Sequence, residues 1–271
     1  PITGTILTGT YMDRNIKEYS HGMFQSVFDY PYLSSSANHI FDITFGYANT
    51  SALSGAANSQ NSKKINIYNQ MAQVLVGYDK DGSIKQFDSD GDFSGGAKIS
   101  ECVFLSFSRL LVKDEIKKGS FQVKLGVSSS LAPFDKTIVV KDHGAATSYK
   151  INSPTGEYGI LFASNSSGAG ALVESRMNAN NMIPCGLIFY QAGVAVLTGS
   201  IFEATGTTAT GMLKYRLPDE IAFGGGRGFF NTLTSSTINA AATYLRSRVQ
   251  NISFNNTVEL NSTIYFCRAN H

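Results

Sequence analysis

The stretch Gly186–Phe202, GLIFYQAGVAVLTGSIF, decides the class of this chain. It is long and apolar enough to suggest a membrane span, but a spanning helix needs about twenty nearly unbroken apolar residues. Three glycines, Gln191, Thr198 and Ser200 interrupt it, and most of its apolar residues are β-branched or aromatic. As one extended strand it would reach about 55 Å, far beyond a usual strand. The remaining reading is a buried hairpin folded near Gln191-Ala192-Gly193, in a β-rich body with no membrane span.

The flanking sequence continues this pattern. TIVVKD (137–142) and TSYKINS (147–153) read as short strands. Pro154-Thr155-Gly156 is a tight turn, from which EYGILFAS (157–164) returns antiparallel. ECVFLSFSRLL (101–111), a short helical turn in KDEIKKG and SFQVKLGV (120–127) read as strand, turn, strand. HIFDITFGY (39–47) sets Ile40, Asp42 and Thr44 on one face and Phe41, Ile43 and Phe45 on the other, a half-buried strand.

Two segments carry helical periodicity. In 61–78 the stripe is Ile65, Tyr68, Ala72, Leu75 and Val76, with Gly77 as terminator. In the second, Ile238, Ala241, Ala242, Leu245 and Val249 share a face, and Ser235 or Ser236 is the expected cap. Arg246 and Arg248 fall near its C-terminus, where the helix dipole favours cations. FGGGRGFF (223–230) reads as a flexible joint, and NISFNNTVELNSTIYFCRANH (251–271) as two strands around Asn255-Asn256.

The expected fold class is therefore mainly β with a few helices (α+β), with antiparallel sheets in a sandwich-like body. The expected organisation is an N-terminal arm (1–35), a β-rich domain with one helix (36–145) and a second such domain (146–271). One continuous domain is the alternative. The last strand runs almost to the final residue, so a C-terminal truncation is expected, and the start at Pro1 reads as a processed or trimmed N-terminus.

Composition narrows the function classes. Hydrophobic residues make up 42% of the 271, enough for a core, while charged residues make up only 15%. The 22 basic and 20 acidic residues nearly cancel, so no basic stripe of the kind that binds nucleic acid stands out. Lys113–Lys118 also holds Asp114 and Glu115 and reads as a solvated turn. Cys102, Cys185 and Cys267 lie in apolar contexts without ligand spacing, so buried thiols made in a reducing cytosol are expected. No signal peptide is visible, and the N-x-Ser/Thr sequons at Asn49, Asn165, Asn251, Asn255 and Asn261 follow from Asn, Ser and Thr abundance.

Candidate chemistry is sparse. Asp88, Asp90 and Asp92 resemble the start of a calcium loop, but the sixth and twelfth positions are Phe93 and Ile99 where an EF-hand needs Gly and Glu. Counting from Asp79 places Ile84 and Asp90 there, which fails too. A solvated turn is favoured over an irregular cation loop. His21, His39, His143 and His271 lack metal-binding spacing, and no GxSxG elbow accompanies them. FGGGRGFF lacks the spacing of a phosphate loop, so Arg227 reads as part of a hinge or subunit contact. Asp13 with Glu18, and Asp114 with Glu115, are paired only in sequence. Tyr30, Tyr32 and Tyr47 could stack on sugars but read first as core or interface. No catalytic, cofactor-binding or metal-ligating residue is assigned, and no cofactor is expected.

Three segments together, FLSFSRLLVKDEIKKGSFQVKLG (104–126), Gly186–Phe202 and ISFNNTVELNSTIYFCRANH (252–271), resemble virion structural proteins of T4-like tailed phages, particularly marine and cyanobacterial ones. In that group the last segment is typically followed by more chain. The resemblance covers about a quarter of the residues and lies in strand-forming sequence, so it transfers no functional residue. It implies a non-enzymatic tail or baseplate component, or a neighbouring particle protein, located in the virion after synthesis in the host cytoplasm. Its partners would be other virion structural proteins and copies of itself in a symmetric assembly. A carbohydrate- or receptor-binding adhesin of the particle is the alternative, and a cell-wall or capsule hydrolase the second alternative.

Overall fold

The computed structural model describes residues 13–55, 57–127, 134, 136–166, 170–205, 210–214, 228–258 and 268. The first half contains β1 (Ile16–Glu18), β2 (Gln25–Phe28), β3 (His39–Tyr47), α1 (Asn61–Leu75), β4 (Phe87–Asp88), β5 (Lys98–Ile99), β6 (Glu101–Phe107), α2 (Arg109–Val112), β7 (Glu115–Ile116) and β8 (Gln122–Gly126). Then follow β9 (Thr137–Lys141), α3 (Ala145–Ser148), β10 (Lys150–Ser153), β11 (Gly156–Asn165), β12 (Ile183–Phe189), β13 (Val194–Thr198), α4 (Phe229–Ser235), α5 (Ile238–Arg248), β14 (Val249–Ser253) and β15 (Asn256–Thr257). The fold is α+β and mostly β.

Among the described residues, eleven strands form one antiparallel sheet in the order β1-β2-β3-β6-β13-β12-β11-β9-β8-β14, with β10 paired to β11. Its strands come from all three sequence segments, and none of the divisions at 35 or 145 separates one sheet from another. Residues 16–18 and 25–28, within the segment read as an arm, are strands at one end of the sheet, while residues 1–12 lie outside the described residues. No helix among the described residues is long and apolar enough to cross a membrane.

The hairpin expected at Gly186–Phe202 sits in the middle of this order. β12 and β13 pair from Gly186↔Leu197 to Phe189↔Val194, and every residue of β13 is buried. Gly193 closes the turn with φ +66° and donates its N–H to the Phe189 carbonyl at 2.9 Å. Glycine is needed there twice over, because a Cβ would also lie 2.6 Å from Val112 Cγ2.

Residues opposite each other across a ladder share a face of the sheet. On one face lie Thr44, Phe104, Val196, Leu187 and Ile160, in register across β3, β6, β13, β12 and β11. α1 covers part of it, coming so close that a Cβ on Gly46 would lie 2.7 Å from the Lys64 carbonyl oxygen. Phe87 carries the cover further, with its ring 5.7 Å from Phe104 and 6.4 Å from Phe189. On the other face, Phe45 meets Phe229 of α4 at 5.9 Å, and α5 packs on β2 and β3 before leading directly into β14.

A twisted sheet of this width curls. Phe107 on β6 touches Phe121, which leads into β8, at 5.7 Å, although four strands separate β6 from β8 in the ladder. The second face therefore lines the inside of the curl, and the first face, under α1 and Phe87, belongs to the same buried cluster.

Several expectations are corrected. The buried residues of α1 are Lys64, Ile67, Tyr68, Ala72 and Leu75, so Ile67 rather than Ile65 faces inward. The cap of α5 is Thr237, whose hydroxyl accepts from Ala240 N at 3.3 Å, whereas Ser235 and Ser236 end α4. Of the joint 223–230, the described residues 228–230 begin α4. The short helix expected in KDEIKKG lies one turn earlier, at Arg109–Val112, because Glu115 and Ile116 pair with β15. β14 and β15 pair with β8 and β7, and residues 259–267 and 269–271 of the expected last strand lie outside the described residues.

Candidate functional site

The hairpin β4–β5 and its loop bring Asp88, Asp90 and Asp92 together beside Lys98. Phe87 pairs with Ile99 and Asp88 with Lys98, which forces the nine residues 89–97 between them into a compact loop. The loop closes on itself through successive side-chain acceptors. Asp88 Oδ1 accepts from Asp90 N at 3.4 Å, Asp90 Oδ1 from Asp92 N at 3.2 Å, and Asp92 Oδ1 from Ser94 N at 2.7 Å. One carboxylate oxygen from each aspartate lies within 4.8 Å of the others. Phe93, where an EF-hand has Gly, adopts φ +60° and stacks on Tyr158 at 5.1 Å.

Electrostatics separate the three acids. Asp88 is fully buried, and burial raises its pKa against the pull of Lys98, whose ammonium lies 2.5 Å away. Asp90 is exposed and lowered, chiefly by the Asp92 N–H that it accepts. The three carboxylates could supply part of the six to eight oxygens a calcium ion takes. Lys98 already compensates one of them. Asp79 stands apart in a separate turn, accepting from Asp81 N and Ser83 N at 2.9 Å each.

The histidines are dispersed. His39 Nε2 lies 2.8 Å from Asp42 Oδ1, and Ser26 Oγ donates to the same oxygen at 2.5 Å. Ser26 and Asp42 are cross-strand partners, which accounts for the contact. Here the carboxylate stands between hydroxyl and imidazole, whereas a hydrolytic triad places the imidazole in the middle. His21 stacks on Tyr19 at 5.1 Å and accepts from Met23 N at 3.1 Å. His143 follows β9 at the rim of a cleft. His271, Arg227 and Cys267 lie outside the described residues.

Cys102 and Cys185 are free and buried, and burial raises both thiols well above their ordinary pKa. Asp13 pairs with Arg246 at 3.0 Å and Glu18 accepts from Gln25 at 2.9 Å, so these two acids serve different partners. Within Lys113–Lys118, Lys118 departs from the solvated reading. It bridges Glu115 at 3.2 Å and Glu157, and its ammonium lies over the rings of Tyr149 and Tyr190 at 5.0 and 5.6 Å. Tyr47 is core, with its hydroxyl donating to Asn61 at 2.7 Å, while Tyr30 and Tyr32 are exposed.

Among the buried polar groups that escape sequence reasoning are Asp142 and Lys64. Asp142 accepts from Gly119 N at 2.6 Å, Phe121 N at 3.0 Å and the Tyr190 hydroxyl at 3.1 Å. Burial nevertheless pushes its carboxyl up to about 6. Lys64 is fully buried and donates to the carbonyls of Ser59 at 2.7 Å, Ser236 at 2.7 Å and Leu233. Burial lowers its pKa to about 8. A Lys on a periodic helix reads as solvated, and nothing local signals that a second helix ends above it.

The loop 29–38 shows the opposite arrangement, apolar groups held outward. Its neck is clamped by Asn38, which donates to Asp29 from its backbone N at 2.6 Å and its side chain at 2.9 Å, while Asp29 N donates back to the Asn38 carbonyl at 3.1 Å. Tyr32 N adds a bond to the Arg14 carbonyl at 3.0 Å. The loop thereby presents Tyr30 and Leu33, 59% and 85% exposed.

No family model, curated protein or solved structure matches this chain.

Proposed function

We propose that the chain is a structural subunit of a tailed-phage virion, in the tail, the baseplate or an adjacent component, and that it acts through protein–protein assembly rather than catalysis. The observation that carries the reading is the clamped loop 29–38. Ordering Tyr30 and Leu33 in water costs free energy unless something covers them. The bonds between Asp29 and Asn38 hold these side chains outward in advance, which reduces the ordering cost of docking. Low charge, and the resemblance of residues 104–126, 186–202 and 252–271 to particle proteins, support the same reading. Partners are other virion proteins and further copies of the chain.

Two measurements test it. Peptide mapping of purified particles should recover this polypeptide in fixed stoichiometry. Sedimentation of the purified protein with particle components should show complexes that Leu33→Asp weakens. Absence from particles, or complexes indifferent to Leu33→Asp and Tyr30→Ser, would overturn the proposal. The adhesin reading is favoured by a separate feature, the cleft at His143, which Lys150, Ile160, Phe162 and Asn178 also line.

A further inference from the structure

The first face of the sheet is covered by α1 and the segment carrying Phe87 and Phe93, but this cover ends at β11. Tyr158, Ile160 and Phe162 point to that face at alternate positions. Phe93 lies on Tyr158 and Gly91 approaches Ile160, whereas Phe162 lies beyond the loop. There a cleft of about 420 Å³ opens, floored by Ile160, Phe162 and Met182 and walled by the β9–β10 connection and residues 178–180. Its size falls within the range of ordinary small-ligand sites.

The wall groups have a definite hydrogen-bonding sense. Asn178 Oδ1 already accepts from Asn180 N at 2.9 Å and Met182 N at 3.1 Å, which leaves its amide NH₂ to donate. Thr147 and Ser148 hydroxyls donate to the Gly144 carbonyl at 3.3 and 2.8 Å, which leaves their lone pairs to accept. His143 and Lys150 add an imidazole and an ammonium, and neither side chain has a partner among the described residues. Among the described residues, no Asp or Glu lines the cleft. The neighbouring Asp142 is turned inward onto Gly119, Phe121 and Tyr190. Lys141 is the register partner of Phe162, so it brings a further cation to the same face.

We infer that this cleft binds an acidic sugar residue. The apolar floor suits the carbon face of a pyranose ring. Walls that both donate and accept match the several hydroxyl groups of a sugar ring, whereas a sulfate ion only accepts and hydrogenphosphate is mainly an acceptor. The cations without a lining carboxylate select an anionic ring over a neutral one. The inference goes beyond an assembly role and is independent of it, since a subunit can assemble with this cleft empty.

The test is titration calorimetry of the purified protein with digalacturonic acid, with neutral galactobiose and inorganic phosphate as controls. Saturable binding is expected for the acidic disaccharide, at least about tenfold tighter than for either control. Lys150→Ala combined with His143→Ala should weaken it by about tenfold or more with the circular dichroism spectrum unchanged. Lys150→Arg should retain it, and Asn69→Ala, in a separate cleft beside Tyr68, should leave it unaltered. Undetectable binding at about 10 mM, equal binding of the neutral sugar or of phosphate, or full affinity in the double variant would each overturn the assignment.

Discussion

The ammonium of Lys64, on α1, donates to the carbonyl of Ser236, 2.7 Å away, at the C-terminal end of α4. The same group reaches Leu233 one turn back and Ser59 before its own helix. The last carbonyls of a helix lack intrahelical partners and carry the negative end of its dipole. A fully buried cation there satisfies three acceptors at once and ties α1, on one side of β3, to α4, on the other.

Replacing Lys64 with Met removes the charge and leaves those carbonyls unsatisfied in the interior. The expected loss is about 3 kcal/mol of stability, seen as a lower urea midpoint at unchanged slope. An unchanged midpoint would show that the carbonyls find other partners.

Asp142 makes stability depend on pH. Its folded pKa of about 6 stands above the ordinary 3.8, so between these values the folded state binds more protons than the unfolded state. Its contribution is fully present below pH 3.8 and is lost as pH rises through 6, by up to about 3 kcal/mol. Unfolding free energies of the wild type and Asp142→Asn, measured from pH 3.5 to 7, should differ in slope within this window, with the variant flatter. Parallel curves would place the Asp142 pKa near its ordinary value.

Gly193→Val tests the central turn. Valine at φ +66° is strained, and its Cβ would meet Val112 Cγ2 at 2.6 Å. Destabilisation of about 2–4 kcal/mol is expected, measured by thermal or chemical unfolding. A variant as stable as the wild type would mean the turn has another conformation available.

Phe107→Ala tests the curl of the sheet. The ring contacts Phe41 at 6.0 Å, Phe121 at 5.7 Å and Phe254 at 5.0 Å, and so joins strands far apart in the ladder. A loss of about 3–5 kcal/mol is expected from the cavity and the lost contacts. An exposed position would lose almost nothing.

The buried thiols give a kinetic prediction. Cys102 and Cys185 react as thiolates, and burial suppresses both thiolate formation and access. Peptide mapping after native alkylation should show both labelled no faster than the protein unfolds globally. Rapid labelling of either would show local opening of β6 or β12.

Much of the fold was legible because strand burial leaves a local record. The runs at 39–47, 120–127 and 157–164 alternate and are mostly strand, and the run 186–202 gives β12 and β13 around their turn before ending in a 3-10 turn at Gly199–Phe202. The positions of α1 and α5 were legible for the same reason, though their details less so, whereas α4 was read as part of a joint and α2 one turn too late. The α1 stripe was misread at Ile65 because Lys64 occupies a core position that only the end of α4 makes tolerable. The cap was misread because Ser235 and Ser236 satisfy the composition rule, whereas α4 extends through Ser235 and leaves the cap to Thr237. The cleft could not be read at all. His143, Lys150, Phe162 and Asn178 lie in four separate segments with no common spacing.

The sequence by itself determined the β-rich class, the central hairpin with its glycine turn, and the near absence of strong charge, because these depend on side-chain periodicity and backbone freedom over a few residues. Only the tertiary structure decided which strands neighbour which. It also decided that the sheet curls until Phe107 meets Phe121, and that Lys64, Asp142 and the cleft cations fall where they do. Those outcomes depend on long-range pairing and on what covers each face, and the energy of such contacts is set by burial at the meeting point rather than by any residue's neighbours along the chain.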